Sequence, residues 1–157
     1  MDPTDLQIVD LLQRNGRATQ LEIAKAVSLS QPAVAERIRK LEERGVITGY
    51  AARVDASWLG SDITAFIGVG IEHPKYFDGF ARKVLNLDEV LECHRVAGAD
   101  SYLLKVKTRN TRTLDRLVVE VLRTIAGVTR TSTTIVLASI KEETRVPHLP
   151  EQRGERE

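Results

Sequence analysis

Cysteine is nearly absent from this 157-residue chain: its one thiol, Cys93, can form no internal disulfide, which suits a reducing compartment. An excess of either charge is absent too. With 23 Lys and Arg against 22 Asp and Glu, the formal net charge is +1, so bulk charge gives no support for nucleic-acid binding and any such contact has to come from a local patch. No apolar run is long enough to span a bilayer and no signal peptide opens the chain, so the expectation is a soluble, cytoplasmic protein without membrane contact. The histidines His73, His94 and His148 are dispersed, with no metal-ligand spacing. Glycine-rich phosphate loops and nucleophile elbows are missing as well. No catalytic residue, metal or cofactor is expected. At 42% hydrophobic residues, however, the chain can pack a core, and its length suits one ordinary domain or two small ones.

What is present is concentrated in residues 17–50, which read as two short helices joined by a tight turn, then a stop and a β-prone ribbon. Thr19 followed by Glu22 fits a capping box, and the helix it opens runs to about Val27, with Leu21, Ile23, Ala24 and Val27 available to a core. Ser28-Leu29-Ser30 breaks that helix. Ser30 caps the next one, where Pro32 falls in the first turn and its missing N–H costs little. Val34, Ile38 and Leu41 then form one apolar stripe, Gly45 after Arg44 is a C-cap, and Val46-Ile47-Thr48 with Tyr50 has strand propensity. An earlier helix starts at Asp2-Pro3, buries Ile8, Val9 and Leu12, and ends at Asn15-Gly16; Asp5 and Asp10 keep it acidic and away from phosphates.

This is the sequence form of a winged helix-turn-helix, with the motif at about Ala18 to Arg37, and it predicts a helix laid in the major groove of double-stranded DNA. The face opposite the apolar stripe carries Gln31, Ala33, Glu36, Arg37, Arg39 and Lys40. Small residues at the helix start (Ser30, Ala33) permit close approach. Gln31 suits adenine, Arg37 suits guanine or phosphate, and Arg39, Lys40 and Arg44 suit phosphate. The competing reading is a solvated charged helix face in a protein that never meets DNA.

The pattern changes after a linker at 51–60, in which Ala51–Val54 is strand-like and Trp58, the single tryptophan, is expected to pack at the domain junction. Residues 62–72 read as a strand, 74–86 as a helix, 89–97 and 101–108 as a hairpin, 111–125 as a helix and 128–141 as a long strand. The helix from Pro74 buries Phe77, Phe80, Ala81 and Val84. The later one buries Leu114, Leu117 or Val118, Val121 and Ile125. The order βαββαβ is that of a ferredoxin-like sandwich, so the whole chain is expected to be α+β. Phe66, Ile67, Val69 and Ile71, like Ile135, Val136, Leu137 and Ile140, offer apolar groups to both sides of the sheet. Two helices cover only one side, so a homodimer formed sheet to sheet is expected. Residues 142–157, with Pro147, Pro150 and alternating charges, read as an extended or disordered tail. The expected division is thus 1–50 for the helix-turn-helix, 51–60 for the linker, 61–141 for the second domain and 142–157 for the tail.

Several stretches resemble the leucine-responsive regulatory protein/AsnC (Lrp/AsnC) family of transcription regulators. They are Asp5-Leu6-Gln7-Ile8 with Leu11-Leu12-Gln13, Asn15-Gly16-Arg17, Leu29-Ser30, Val34 with Arg37-Ile38, Arg39-Lys40-Leu41-Glu42 and Gly45-Val46-Ile47-Thr48-Gly49-Tyr50. Further on, Val96-Ala97-Gly98, Tyr102-Leu103-Leu104-Lys105-Val106 and Gly127-Val128 through Leu137 look like that family's effector domain, and the resemblance covers roughly residues 2–141. It implies an amino-acid effector held at a subunit interface by the turn Gly98-Ala99-Asp100-Ser101 and the start of the last strand. The residues it points to are Gly98, Asp100, Ser101, Tyr102, Thr131 and Thr133, with backbone amides for a carboxylate and Asp100 for an α-amino group. It also implies dimers assembled into octamers or similar rings. The chain departs from the pattern at Gly98–Ser101, where many members carry a Gly-Asp-Tyr-Asp type of turn. Two readings compete with a ligand-modulated regulator. One is an enzyme like the sirohaem decarboxylases, which resemble this architecture and need basic groups such as Arg95, Lys105, Lys107 and Arg109 brought together. The other is an oligomeric sensor that has lost DNA binding.

Overall fold

A computed structural model describes residues 1–148, and they form two units: Met1–Arg53 together with the segment that begins at Lys141, and Val54–Ile140. The residues expected to form the tail therefore divide. Residues 149–157 lie outside the described residues, whereas 142–148 run without regular secondary structure and are bonded to the first unit.

In the first unit, α1 (Pro3–Arg14), α2 (Gln20–Val27) and α3 (Gln31–Glu43) pack around Ile8, Ile23, Ala24, Val34 and Leu41. Each start is chemically fixed. Asp2 and Asp5 form a capping box at α1, Thr19 and Glu22 form one at α2, and Ser30 caps α3 with Pro32 in the first turn. Leu21, expected in the core, is half exposed, because α2 turns Ile23, Ala24 and Val27 toward the other two helices. The ribbon expected from Val46 to Tyr50, and the strand-like Ala51–Val54, carry no ladder in the described chain. The N–H groups of Val46 and Ile47 both donate to the Leu41 carbonyl, at 2.9 and 3.2 Å, so they close the end of α3 and are not available to a strand partner. Gly45, at φ 68°, supplies the left-handed residue that this closure needs.

The second unit holds β1 (Ile63–Ile71), α4 (Phe77–Val84), β2 (Val90–Arg95), β3 (Tyr102–Thr108), α5 (Thr111–Arg116) and β4 (Val128–Ile135). The sheet order is β2-β3-β1-β4 with every neighbouring pair antiparallel, which is the ferredoxin-like arrangement. Ala65, Ile67 and Val69 of β1 pair with Val106, Leu104 and Tyr102 of β3. These residues, buried, form one face with Phe80, Val84, Leu114, Leu117 and Leu122 packed on it. The alternate residues, among them Phe66 and Leu103, point to the side that the helices leave bare, and each is 37% exposed.

Three expectations need correction here. The last strand stops at Ile135, opposite Ala65, and the closing bond runs from Val136 N–H to the Thr64 carbonyl. Leu137 and Ile140 beyond it are almost fully exposed. The helix read over 111–125 changes pitch, from α to a π turn at Leu117–Val121 and a 3-10 turn at Leu122–Thr124. The wider turn moves the buried position from Val121 to Leu122. Trp58, in the 3-10 turn Ala56–Leu59, is 87% exposed.

Candidate functional site

The α2–α3 unit is held tightly by local bonds. Thr19 N–H donates to Glu22 Oε2 at 2.7 Å, and Glu22 N–H donates back to Thr19 Oγ1 at 3.2 Å. Ser28 takes the left-handed turn conformation at φ 54°, the one non-glycine residue to do so among the described residues. Ser30 Oγ then accepts from Ala33 N–H at 3.4 Å, which leaves Gln31 exposed at the first turn of α3. Along the outer face follow Glu36, Arg39, Lys40 and Arg44, all exposed, with Ala33 half buried.

Two of the three cations on this face are paired within the helix. Glu36 accepts from Arg39 Nε at 2.9 Å and Nη2 at 2.7 Å, and Lys40 Nζ lies 3.4 Å from it; Arg39 also bonds Glu43. The Arg39 bonds, foremost, hold the Glu36 carboxyl down at about 2 and push the guanidinium's own pKa up. Arg44 has no ion pair among the described residues. Arg37, expected to read a base or phosphate, lines the same hollow as Ala33, Lys40 and Arg44 but is engaged within the protein. Its Nη1 is bonded to Asp2 and Asp5 at the start of α1, and these bonds raise its pKa. Ala33, Glu36, Arg37, Lys40 and Arg44 line one shallow hollow on α3, in which the Arg37 guanidinium is held by Asp2 and Asp5, while Gln31 and Arg39 are exposed beside it.

The second group of site residues lies at the bare side of the sheet. The turn before β3 lays the Asp100 carboxylate over Gly68 of β1: a Cβ built on Gly68 would fall 2.7 Å from the Asp100 carboxyl carbon. Arg130 Nη2 donates to Asp100 Oδ1 at 2.7 Å and also to the Ala99 carbonyl. Arg130 and Ser132 of β4 lie opposite Gly70 and Gly68, so they share Asp100's face. Ser101 is occupied by the sheet: its N–H donates to the Val69 carbonyl at 2.8 Å and its Oγ accepts from Ile71 N–H at 3.1 Å. Gly98 sits in the same turn with open space around it.

Three expected effector residues are not brought to Asp100. Tyr102 is buried on the helix side against Phe77 and Phe80, at ring distances of 5.6 and 4.8 Å, and its burial raises the phenol's pKa. Thr131 and Thr133 pair with Val69 and Ile67 and so belong to that same side. A one-residue step in β4 exchanges the two faces, so of the hydroxyl run Thr131–Thr134 it is Ser132 that shares Asp100's side, and Arg130 was missed. The basic groups that an acidic tetrapyrrole would need are not gathered either. Lys105 and Lys107 stand on the bare face of the inner strand β3, where Lys105 pairs with Glu92 at 3.3 Å and Lys107 donates to Thr64 Oγ1 at 3.0 Å. Arg95 lies over the Phe77 ring on the other side. Among the described residues, no cluster of His, Cys, Asp or Glu is placed to hold a metal ion, and no helix is long and apolar enough to cross a membrane.

Comparison with known proteins covers both units. The family model for a winged helix-turn-helix DNA-binding domain matches residues 1–48, and that for an Lrp/AsnC ligand binding domain matches 64–146. An uncharacterized HTH-type transcriptional regulator of Bacillus subtilis, YezC, is 47% identical over 115 residues, which are 73% of this chain and 81% of the relative. The leucine-responsive regulatory protein of Escherichia coli K12 is 33% identical over 148 residues, 93% of this chain and 90% of that one. A transcriptional regulator of Neisseria meningitidis, solved as a complex with L-methionine, superposes with a TM-score of 0.89 at 32% identity, covering 94% of this chain and 96% of its own. The family is one of transcription regulators rather than enzymes. With a DNA-binding winged helix-turn-helix followed by the family's ligand-binding domain, the chain belongs to the Lrp/AsnC family of transcription regulators.

Proposed function

We propose that the protein binds operator DNA sequence-specifically through α3 and that an amino acid, bound between subunits at the bare side of the sheet, alters its DNA affinity or its assembly. Gln31, with Ser30 and Ala33 beside it, is the base-reading end. Arg39, Lys40 and Arg44 take phosphates and fix the register of the helix in the groove. On binding, phosphates replace Glu36 and Glu43 as partners of the two paired cations, so affinity falls steeply with salt.

The effector reading rests on Asp100 and Arg130. An α-amino acid carries one ammonium and one carboxylate, and this pair offers one acceptor and one donor fork about a side-chain-free position at Gly68. The Neisseria relative's complex with L-methionine supports the same class of ligand. The exposed Phe66 and Leu103 favour a second subunit over the bare face, hence a homodimer and, through dimers, higher assemblies such as octamers. A cytoplasmic location follows from a DNA target. A ligand shifts such an assembly only through unequal affinity for its two states.

The observation that carries this reading is the capped α2–turn–α3 unit, with Gln31, Arg39, Lys40 and Arg44 all exposed on α3. Fluorescence anisotropy against the chain's own upstream DNA and a scrambled duplex, at fixed near-physiological salt, tests it. The expected preference is roughly a thousandfold. Repeating the titration with each amino acid tests the effector. Equal affinity for both duplexes would sink sequence-specific regulation, and an unchanged curve with all twenty would sink the amino-acid effector.

A further inference from the structure

Both ends of the described chain build the DNA-binding unit, and they meet on α1. Asp10 Oδ1 accepts two bonds from Arg145, from Nε at 2.9 Å and Nη2 at 2.7 Å, while Asp10 Oδ2 accepts from Arg14 Nε at 2.8 Å. One turn further along, Gln13 engages the main chain of Val146 twice. Val146 N–H donates to Gln13 Oε1 at 2.7 Å, and Gln13 Nε2 donates to the Val146 carbonyl at 3.1 Å. A side-chain amide that exchanges two bonds with one residue's backbone imitates a strand partner. At the other end of the segment, Arg53 donates to the Glu142 carbonyl at 2.8 Å and lies 3.6 Å from the Glu143 carboxylate. That carboxylate accepts from the N–H groups of Thr144 and Arg145, at 3.0 and 3.2 Å, and directs the chain onto α1.

We infer that the outer face of α1 is a docking surface for an extended segment that presents an arginine and an open main chain, that its occupant is the chain's own residues 142–146, and that this segment is a working part of the DNA-binding unit. The family match gives these residues to the ligand-binding domain; their bonds give them to the other unit. The helix-turn-helix is consequently joined to the rest of the chain at two crossings, one after Arg53 and one before Lys141, and Arg53 fastens the two together. Through its first turn, α1 also holds Arg37 of α3. Seating or releasing the segment therefore acts on the helix against which the recognition helix is braced. The docking itself is independent of the effector's identity, and the DNA readout alone rests on the proposed function.

Amide hydrogen exchange and DNA anisotropy on three proteins test this: the full chain, the chain stopped after Ile140, and the full chain with Arg145→Gln. Exchange over α1 is expected to quicken about tenfold in the shortened chain and about threefold in Arg145→Gln, while β1 and β3 keep their protection. DNA affinity falls in the same order. Gln13→Leu reproduces the Arg145→Gln result and, with it, decides the matter if the shortened chain does not fold. Unchanged exchange over α1, or faster exchange with unaltered DNA affinity, overturns the inference. If the full chain binds no DNA, the exchange data still judge the docking, and it is the proposed function that fails.

Discussion

Arg37 Nη1 lies 2.6 Å from Asp5 Oδ1 and 2.7 Å from Asp2 Oδ2, so the guanidinium in the middle of α3 belongs to the interface with α1. The Asp5 side chain is only 13% exposed, which keeps water from replacing Arg37 there. Arg37→Ala is expected to lower the unit's melting temperature by a few degrees and to weaken binding to operator and scrambled DNA alike. Asp5→Ala should do the same, although removing a carboxylate ought to favour a polyanion if charge were all that counted. Titrations across a salt series separate the roles. A braced helix keeps the same salt slope in both variants, whereas a lost phosphate contact would lower the slope by about 0.9. A lower slope in Arg37→Ala, together with tighter binding by Asp5→Ala, would make Arg37 a phosphate ligand.

Glu36 restrains the same helix differently. Arg39 and Lys40 both lean on it, so phosphates compete with an internal carboxylate for both cations. Glu36→Gln removes that competitor and keeps the side chain's size. Binding to any duplex should tighten, about threefold to tenfold at low salt, with a steeper salt dependence. Discrimination between operator and scrambled DNA should shrink, since the gain is on phosphates and not on bases. Weaker binding by Glu36→Gln would mean that the pair positions Arg39 for its contact.

The same carboxyls set an acid limit. Bonds from Arg39 hold Glu36 at about 2 against an ordinary 4.5. Glu22 is lowered chiefly by its bond from the Thr19 backbone, Asp2 by that from the Asp5 backbone, and Asp10 by Arg14 and Arg145. A carboxyl whose folded value is depressed contributes stability that is complete above its ordinary value and is lost as pH falls through the folded one. The unit's melting temperature should therefore stay level down to about 5 and fall between about 4.5 and about 2. Circular dichroism melts at stepped pH check this, and a fall beginning near neutrality would contradict it.

Legibility in the sequence followed the range of the interactions. Caps are local, and the Thr19–Glu22 box, the Ser30 cap before Pro32 and the start of α1 at Asp2-Pro3 all form as the sequence predicts, with Asp5 completing a box at Asp2 that was not foreseen. The inner faces of the helices were readable from their spacing, and Phe80, Val84, Leu114 and Leu117 are buried as it predicts, whereas the strands, apolar on both sides at Phe66-Ile67 and Leu103-Leu104, did not show which face the helices cover. Partners distant in sequence were not readable. Nothing local assigns Arg37 to Asp5, or Arg145 to Asp10, which is 135 residues away. The β4 site failed on parity. Four hydroxyls in a row, Thr131 to Thr134, carry no alternation to show which pair shares Asp100's side. Only the register, with Ser132 opposite Gly68, decides it.

That register also yields the sharpest test of the effector site. Gly68 is small where Asp100 crosses the sheet, and a methyl group there would overlap the carboxylate. Gly68→Ala should lift Asp100 away and separate it from Arg130, so the amino acid loses its ammonium acceptor while α3 is untouched. The ligand concentration giving a half-maximal thermal shift should rise about tenfold or more, as befits the loss of a bond to a charged group. DNA affinity without ligand should stay as it is. Asp100→Asn is expected to act in the same direction, and Thr131→Ala and Thr133→Ala, on the helix side of the sheet, to leave the response alone. The reverse pattern, with the threonine variants blind to ligand and Gly68→Ala responding normally, would place the pocket on the other side of β4 and return the hydroxyls to it.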